Sequence, residues 1–283
     1  MIKRILLTMG RTIVDANKGS FSLNLKELYS YRDLFLILAY RDLRVRYAQT
    51  FLGLSWAIVQ PLITLIIFTL VFDRFVKVDT GGIPYPVFAL TGMVAWTYFA
   101  FVMNQSGNSI IGAQEMIKKI YFPRLVIPLS KAIVGLVDFF IAFILLSILL
   151  MYYRVSLSLN IIMLPTFLLL TVFCSLAAGI WLSALTIRFR DFQHVTPFLA
   201  QVGLYATPIA YPGKVVIGTL PDWAIFLFYM NPMAGIVEGF RWSILGQGSL
   251  HPASFISYGM VAVLFLTGLL YFKSVEKVMA DIV

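Results

Sequence analysis

The sequence predicts an all-α polytopic membrane protein, and three observations carry that reading. Hydrophobic residues make up 60% of the 283, charged residues only 12%, and the mean hydropathy is +0.89. A soluble domain usually carries about 25% charged residues, so the water-facing surface missing here is most simply a lipid-facing one. The apolar residues also fall into blocks long enough to cross the ~30 Å hydrocarbon core as helices, which takes roughly 20 residues. Each block can satisfy its backbone internally, as lipid demands, and none shows the period-two alternation of a membrane barrel.

Six blocks read as spans, at about 54–73, 85–103, 131–153, 161–187, 195–212 and 255–272. They divide the chain into an N-terminal segment, 1–50, and a transmembrane domain, 51–283. The opening, Met1 to Met9, is basic like a signal peptide, but its apolar run falls short of the 7–15 residues such a peptide needs. The N-terminus is therefore expected to be retained.

Lysines and arginines between the blocks set the orientation, because cytoplasmic loops carry the excess. Residues 1–53 hold nine, the loop after the second block three, the loop after the fourth two and the tail two. The other side holds five, with Lys131 at the membrane edge. Both termini should be cytoplasmic in a multi-pass protein of the inner membrane. The formal net charge of +9 follows this sidedness instead of forming a dense patch, which argues against nucleic acid as a partner. The one cysteine, Cys174, lies inside the fourth block and suits a buried apolar role. His194 and His251 have no ligand-like neighbours, so no metal site is expected.

Three stretches break the pattern of spans. In 24–50, the apolar run 34–40 is too short to cross and is flanked by Arg32, Arg41, Arg44 and Arg46, as in an amphipathic helix on the cytoplasmic interface. It serves either as a surface anchor or as a docking surface. In 109–128, residues 109–120 can form one short helix before Pro123 and Pro128 constrain the chain. Its lysines can be ordinary sidedness charge, but an exposed Tyr121-Phe122 pair beside them suggests a knob for a partner's groove. In 208–254, an eight-residue apolar run from Trp223 stops at Asn231-Pro232, and a helical piece at about 233–246 puts Glu238 and Arg241 at i,i+3, placed to pair. Short re-entrant or interfacial helices on the outer side, between spans five and six, fit this stretch better than a seventh span.

Aromatic residues crowd the same region and the second block. They can be an interfacial belt or the lining of a path for sugar rings, since ligand pockets are often aromatic-lined. Asp138, seven residues after Lys131 and on nearly the same helix face, should meet protein or water; a structural polar contact fits it better than a proton relay. No phosphate-binding loop G-x-x-x-x-G-K-[ST] occurs, nor a serine-hydrolase elbow, nor an evident internal repeat. The residues describe a conduit with docking features and no engine.

Several segments then carry a resemblance. The run Tyr40-Arg41-Asp42-Leu43-Arg44-Val45-Arg46-Tyr47, with Leu52-Gly53-Leu54-Ser55-Trp56 and Gln60-Pro61, resembles the opening of type-2 ABC permeases that export polysaccharides. Lys119 to Arg124 is similar to that family's first cytoplasmic loop, and Phe189-Arg190-Asp191 to its motif after the fourth span. Thr207-Pro208-Ile209 and Tyr229 to Met233, with Glu238 and Arg241, are similar to its outer segment. The resemblance runs through residues 25–275 and leaves the first 24 without a counterpart.

The resemblance implies a homodimer of this subunit with two copies of a separate ATPase, exporting a lipid-linked glycan such as O-antigen or teichoic acid to the outer face. ATP and Mg would be held by the partner, with no cofactor and no catalytic residue in this chain. An entrance helix would present Arg41, Asp42, Arg44, Arg46 and Tyr47. Coupling to the ATPase would fall to Glu115, Lys118, Lys119, Tyr121, Phe122, Pro123 and Arg124. The glycan channel would use Trp96, Tyr98, Phe99, Tyr205 and Tyr211, and an outer gate Trp223, Tyr229, Asn231, Glu238 and Arg241. Two other readings compete. One is a type-2 permease for a drug or small amphiphile. The other is a membrane enzyme acting on lipid-linked sugars, for which Asp73, Asp79, Asp222 and Glu238 lack ligand-like clustering.

Overall fold

The computed structural model describes residues 25–48, 53–246 and 250–276, all of the regular structure being helical. The N-terminal opening, Leu52 of the recognised run and Lys277 of the tail lie outside the described residues. Two helices come first, α1 (Leu25–Ser30) and α2 (Arg32–Ala48). Next is α3 (Trp56–Phe68), whose last turns widen into a π-helical segment, Thr69–Phe75. α4 (Tyr85–Gly107) leads into two short helices, α5 (Ser109–Gly112) and α6 (Gln114–Lys119). Two long helices follow, α7 (Val126–Tyr152) and α8 (Leu164–Arg188), the latter entered through a 3-10 turn, Leu159–Met163. α9 (Phe192–Ala206) precedes three short helices, α10 (Gly213–Thr219), α11 (Asp222–Met230) and α12 (Pro232–Leu245), before α13 (Ser254–Glu276).

Five helical stretches among the described residues are long and apolar enough to cross a membrane: Trp56–Phe75, Tyr85–Gly107, Val126–Tyr152, Leu159–Arg188 and Ser254–Glu276. They match five of the six expected blocks. The remaining block, 195–212, does not form one long helix. Its helix, α9, has 15 residues, about 22 Å at 1.5 Å per residue, and the backbone turns extended at Thr207 (φ −97°, ψ 143°). Pro208 and Pro212 oppose any continuation, because proline removes a backbone donor and disfavours helical geometry in the residue before it.

α4 is the axis of the subunit. Most of it is buried against α7, α8 and α12, whereas in the other four long helices no more than about a third of the most apolar stretch is buried. Exposed faces rich in Ile, Leu and Phe suit lipid, where apolar burial gives no driving force for helices to associate; close packing and small residues supply it instead. The contacts of α4 follow that rule. Gly179 of α8 sits so close to Ser106 of α4 that a Cβ there would collide with it, and Gly135 of α7 takes the Val102, Phe101 and Tyr98 side chains on its open face. Buried hydroxyls on these helices return their protons to local carbonyls, as Thr91 does to Val87 (2.7 Å) and Thr186 to Leu182 (2.6 Å).

The helix expected at 109–120 is two helices, α5 and α6, broken at Ala113 (φ −111°, ψ 13°), which turns inward and is buried. After α6 the chain runs extended through Ile120 and enters α7 two residues before Pro128.

Candidate functional site

The first cluster joins α2 to α7. Asp42 and Arg46 are one turn apart on α2, and Lys131 and Asp138 are two turns apart on α7, so both pairs meet across one face. Asp42 pairs with Lys131, and Arg46 Nη2 lies 2.5 Å from Asp138 Oδ2. The Tyr47 hydroxyl donates to the other Asp138 oxygen, and the Arg46 guanidinium stands 4.0 Å from the Phe101 ring centroid. Burial, reinforced by that hydrogen bond, pushes the Tyr47 hydroxyl above its ordinary pKa. Asp138 is thus a structural polar contact, as expected. Arg41 and Arg44 point outward, with Arg41 bonded back to Asp42 at 2.9 Å. Leu38 and Ala39 are buried against the bundle, while Leu36, Ile37, Tyr40 and Val45 are exposed.

The second cluster lies where α6, the start of α7 and the end of α13 converge. Glu115 and Lys119 form an exposed i,i+4 pair at 3.7 Å, with Lys118 exposed beside them. Tyr121 stands outward, 62% exposed, whereas Phe122 is only 4% exposed and belongs to the core. The expected exposed pair is therefore a single exposed tyrosine, because extended backbone sends successive side chains to opposite sides. Pro123 leads into Arg124, which is tied to the far end of the chain. Its backbone N–H donates to Glu276 Oε1 (3.2 Å) and its Nη1 donates to the Glu276 carbonyl (2.6 Å). Sequence reasoning missed Glu276; its one signal is an acidic residue closing a basic span end.

The third cluster, at the opposite end of α4, is built on Arg241. Its planar fork donates to the carbonyls of Phe88 (3.3 Å), Pro208 (2.5 Å), Ile209 (2.6 Å) and Tyr211 (3.4 Å), and it covers the Phe88 ring at 3.6 Å. Three of these carbonyls, those of Pro208, Ile209 and Tyr211, lie in the non-helical chain after α9, and an unmet buried carbonyl is costly. Burial pulls the guanidinium down to about 9, so it stays charged at neutral pH. The expected Glu238–Arg241 ion pair does not form. Glu238 instead accepts the Tyr229 hydroxyl at 2.7 Å, and burial, opposed by that bond and by the nearby Arg241 charge, raises its carboxyl above the usual range.

Asn231 caps α12, accepting from the Met233 N–H (3.0 Å), and donates to Thr207 Oγ1 (2.9 Å). Ser257 of α13 donates to the carbonyls of Tyr229 and Asn231. Thr207 belongs to the run that carries the family resemblance, whereas Ser257 was not singled out from sequence. Trp223 stands apart from this cluster, 69% exposed.

The expected channel aromatics separate into two groups. Trp96, Tyr98 and Phe99 are buried within the subunit. Tyr98 is wedged between α4 and α7, donating to the Ala132 carbonyl at 3.1 Å with its ring edge-on to Phe139. Trp96 lies under Gly203 of α9, where any Cβ would meet its ring. Tyr205 is exposed, and the Tyr211 hydroxyl donates to its carbonyl at 3.2 Å. The surface tyrosines come together, and Tyr98 serves the packing of the core. Cys174 is buried, and no group of three His, Cys, Asp or Glu suited to a metal occurs among the described residues.

Comparison with known proteins bears on these clusters together. The model of a family described as ABC-2 type transporter matches residues 33–245. The O-antigen export system permease protein RfbA of Myxococcus xanthus is 27% identical over 218 residues, 76% of this chain and 82% of that protein. The protein of that name from Klebsiella pneumoniae is 28% identical over 239 residues, 84% of this chain and 87% of its own. The polysialic acid transport protein KpsM of Escherichia coli is 25% identical over 217 residues, 72% of this chain and 78% of its own.

Proposed function

The chain belongs to the ABC-2 type transporter family, and from that premise we propose that it is the membrane-spanning subunit of an ATP-driven polysaccharide exporter. The observation that carries the substrate class is the similarity, over most of the chain, to relatives named for O-antigen export and polysialic acid transport. A lipid-linked glycan of the O-antigen or teichoic acid kind is the cargo, and two copies of this subunit work with two copies of a separate ATPase. ATP and Mg belong to that partner.

The two ends of the bundle then take different tasks. The end carrying Lys118, Tyr121 and Arg124 is cytoplasmic and meets the ATPase. Motion imposed on α6 reaches α13 through Arg124 and Glu276, so a change in the partner repositions a whole span and not a loop alone. Coupling of this kind requires contacts that differ between two states, and a bond between a loop and a helix end is suited to change. With α9 and the extended segment after it counted as the sixth crossing, both termini lie in the cytoplasm. α2, whose exposed face carries Leu36, Ile37 and Tyr40 beside Arg41 and Arg44, lies along the cytoplasmic interface at the entrance. Tyr205 and Tyr211 face the glycan path, and the Arg241 cluster with α10 to α12 borders the exit.

Deleting the gene in its own cells and complementing it tests this reading. Loss of the surface polysaccharide, restored by the intact gene, is the expected result. Unaltered surface glycan in the deletion strain would overturn it.

A further inference from the structure

A cavity of about 480 Å³ opens beside the Arg241 cluster, between the 79–81 turn, the start of α10, one side of α12 and His251. Its size lies within the roughly 300–1,000 Å³ of small-molecule sites. It borders the same outer-side cluster but is not lined by Tyr205 or Tyr211, the residues given to the glycan path.

The lining restricts what can enter. Arg241 reaches the wall but is committed to carbonyls. Lys214 is then the lysine of the lining, set against two acids, Asp79 and Glu238. The wall thus carries both signs of charge, and an anion finds Asp79 beside Lys214 and the donors of Arg241 already taken. A metal ion is poorly served, since no group of three suitable ligands occurs among the described residues. A purely apolar ligand would strip water from these groups without replacing their hydrogen bonds, which is costly.

A hydroxylated ring meets none of these objections. Its hydroxyls can donate to carboxyl oxygens and accept from an ammonium, and its C–H face can pack on an aromatic plane. The half-buried Trp242 offers such a plane, and the His251 and Tyr229 rings lie stacked at 5.7 Å, 5° from parallel. Gly213 keeps the cavity's polar floor in place: a Cβ there would collide with Glu238 Oε1. We propose that this cavity binds a single neutral sugar ring, through hydrogen bonds to Asp79, Lys214 and Glu238 and stacking on Trp242. The choice of ring chemistry rests on the glycan-export reading, while the location rests on the cavity itself.

The test uses the full chain, purified in detergent, and a panel of glucose, galactose, mannose and N-acetylglucosamine at millimolar concentrations. Binding is read by saturation-transfer NMR and by tryptophan fluorescence. At least one sugar should give a saturable signal, weakened tenfold or more by Gly213→Ala and by Lys214→Ala. Trp242→Phe should remove the fluorescence change while leaving an NMR signal. Lys214 is on the surface, so its variant remains informative if the glycine variant misfolds. No saturable signal from any of the four sugars overturns the proposal, as does binding unchanged in Lys214→Ala. Surface glycan scored in cells carrying the same chain separates the two readings. Export intact without sugar binding removes this site alone, whereas absent export removes the transport reading as well.

Discussion

Asp42 of α2 and Lys131 of α7, 89 residues apart in the chain, form an ion pair with side chains only 18% and 11% exposed. With the Arg46–Asp138 pair, one turn further along α2 and two turns further along α7, it clamps α2 to α7. Burying charges is costly, and removing one partner of such a pair leaves the other uncompensated.

Asp42→Asn and Lys131→Met should each lower the melting temperature of the subunit in detergent, and the double variant should lose less than their sum. A double-mutant cycle is expected to give a coupling of about 0.5–3 kcal/mol, the range for residues in direct contact. Strictly additive losses would mean that the two charges do not depend on each other.

Arg241→Lys should destabilise the subunit by about 2 kcal/mol or more, because an ammonium cannot reach the spread of carbonyls that the guanidinium fork holds. Limited proteolysis should then cut within 207–212 sooner than in the wild type. Equal cleavage rates and equal melting would contradict the role given to Arg241.

Glu276→Gln and Arg124→Ala should leave ATPase binding in place yet lower the stimulation of ATP hydrolysis by glycan, since both weaken the tie from loop to α13. Co-purification separates the two effects. If stimulation persists in both variants, motion does not pass through this bond.

Glu238 sets a dependence on pH. Burial raises its carboxyl above the unfolded value, so the native state holds a proton that the unfolded chain has released. The stability this confers is fully present below the unfolded pKa and is lost as pH rises through the native one. Tyr229, Arg241, His251 and Tyr258 surround the group electrostatically, so the control must change Glu238 alone. Melting of the wild type should fall more between pH 5 and 8 than that of Glu238→Gln; parallel curves would contradict the assignment.

Five long helices were legible in the sequence because lipid imposes a length and an apolar composition that few other contexts require. The block at 195–212 is continuous in hydropathy, but only its part up to Ala206 is helical. Thr207-Pro208-Ile209 stays apolar enough to extend a hydropathy run, yet its backbone leaves the helix in a turn, and the arginine that makes this tolerable lies about thirty residues on. Glu238 and Arg241 have a spacing that permits pairing, but each finds a partner from another element instead. Phe122 was read from its polar neighbours, whereas alternation along extended backbone decides which of two adjacent aromatics goes inside. The family resemblance took in residues of all three clusters but left out Phe88, Phe101, Lys131, Asp138, Glu276 and Ser257, whose roles depend on contacts across the fold.

The most direct test of the account is to solubilise the chain from its own membranes, recover whatever binds it, and assay ATP hydrolysis with and without lipid-linked glycan. Recovery of a stoichiometric ATPase whose turnover rises with the glycan is the predicted result. A chain recovered alone, with no nucleotide-hydrolysing partner, would contradict the assignment as an exporter subunit.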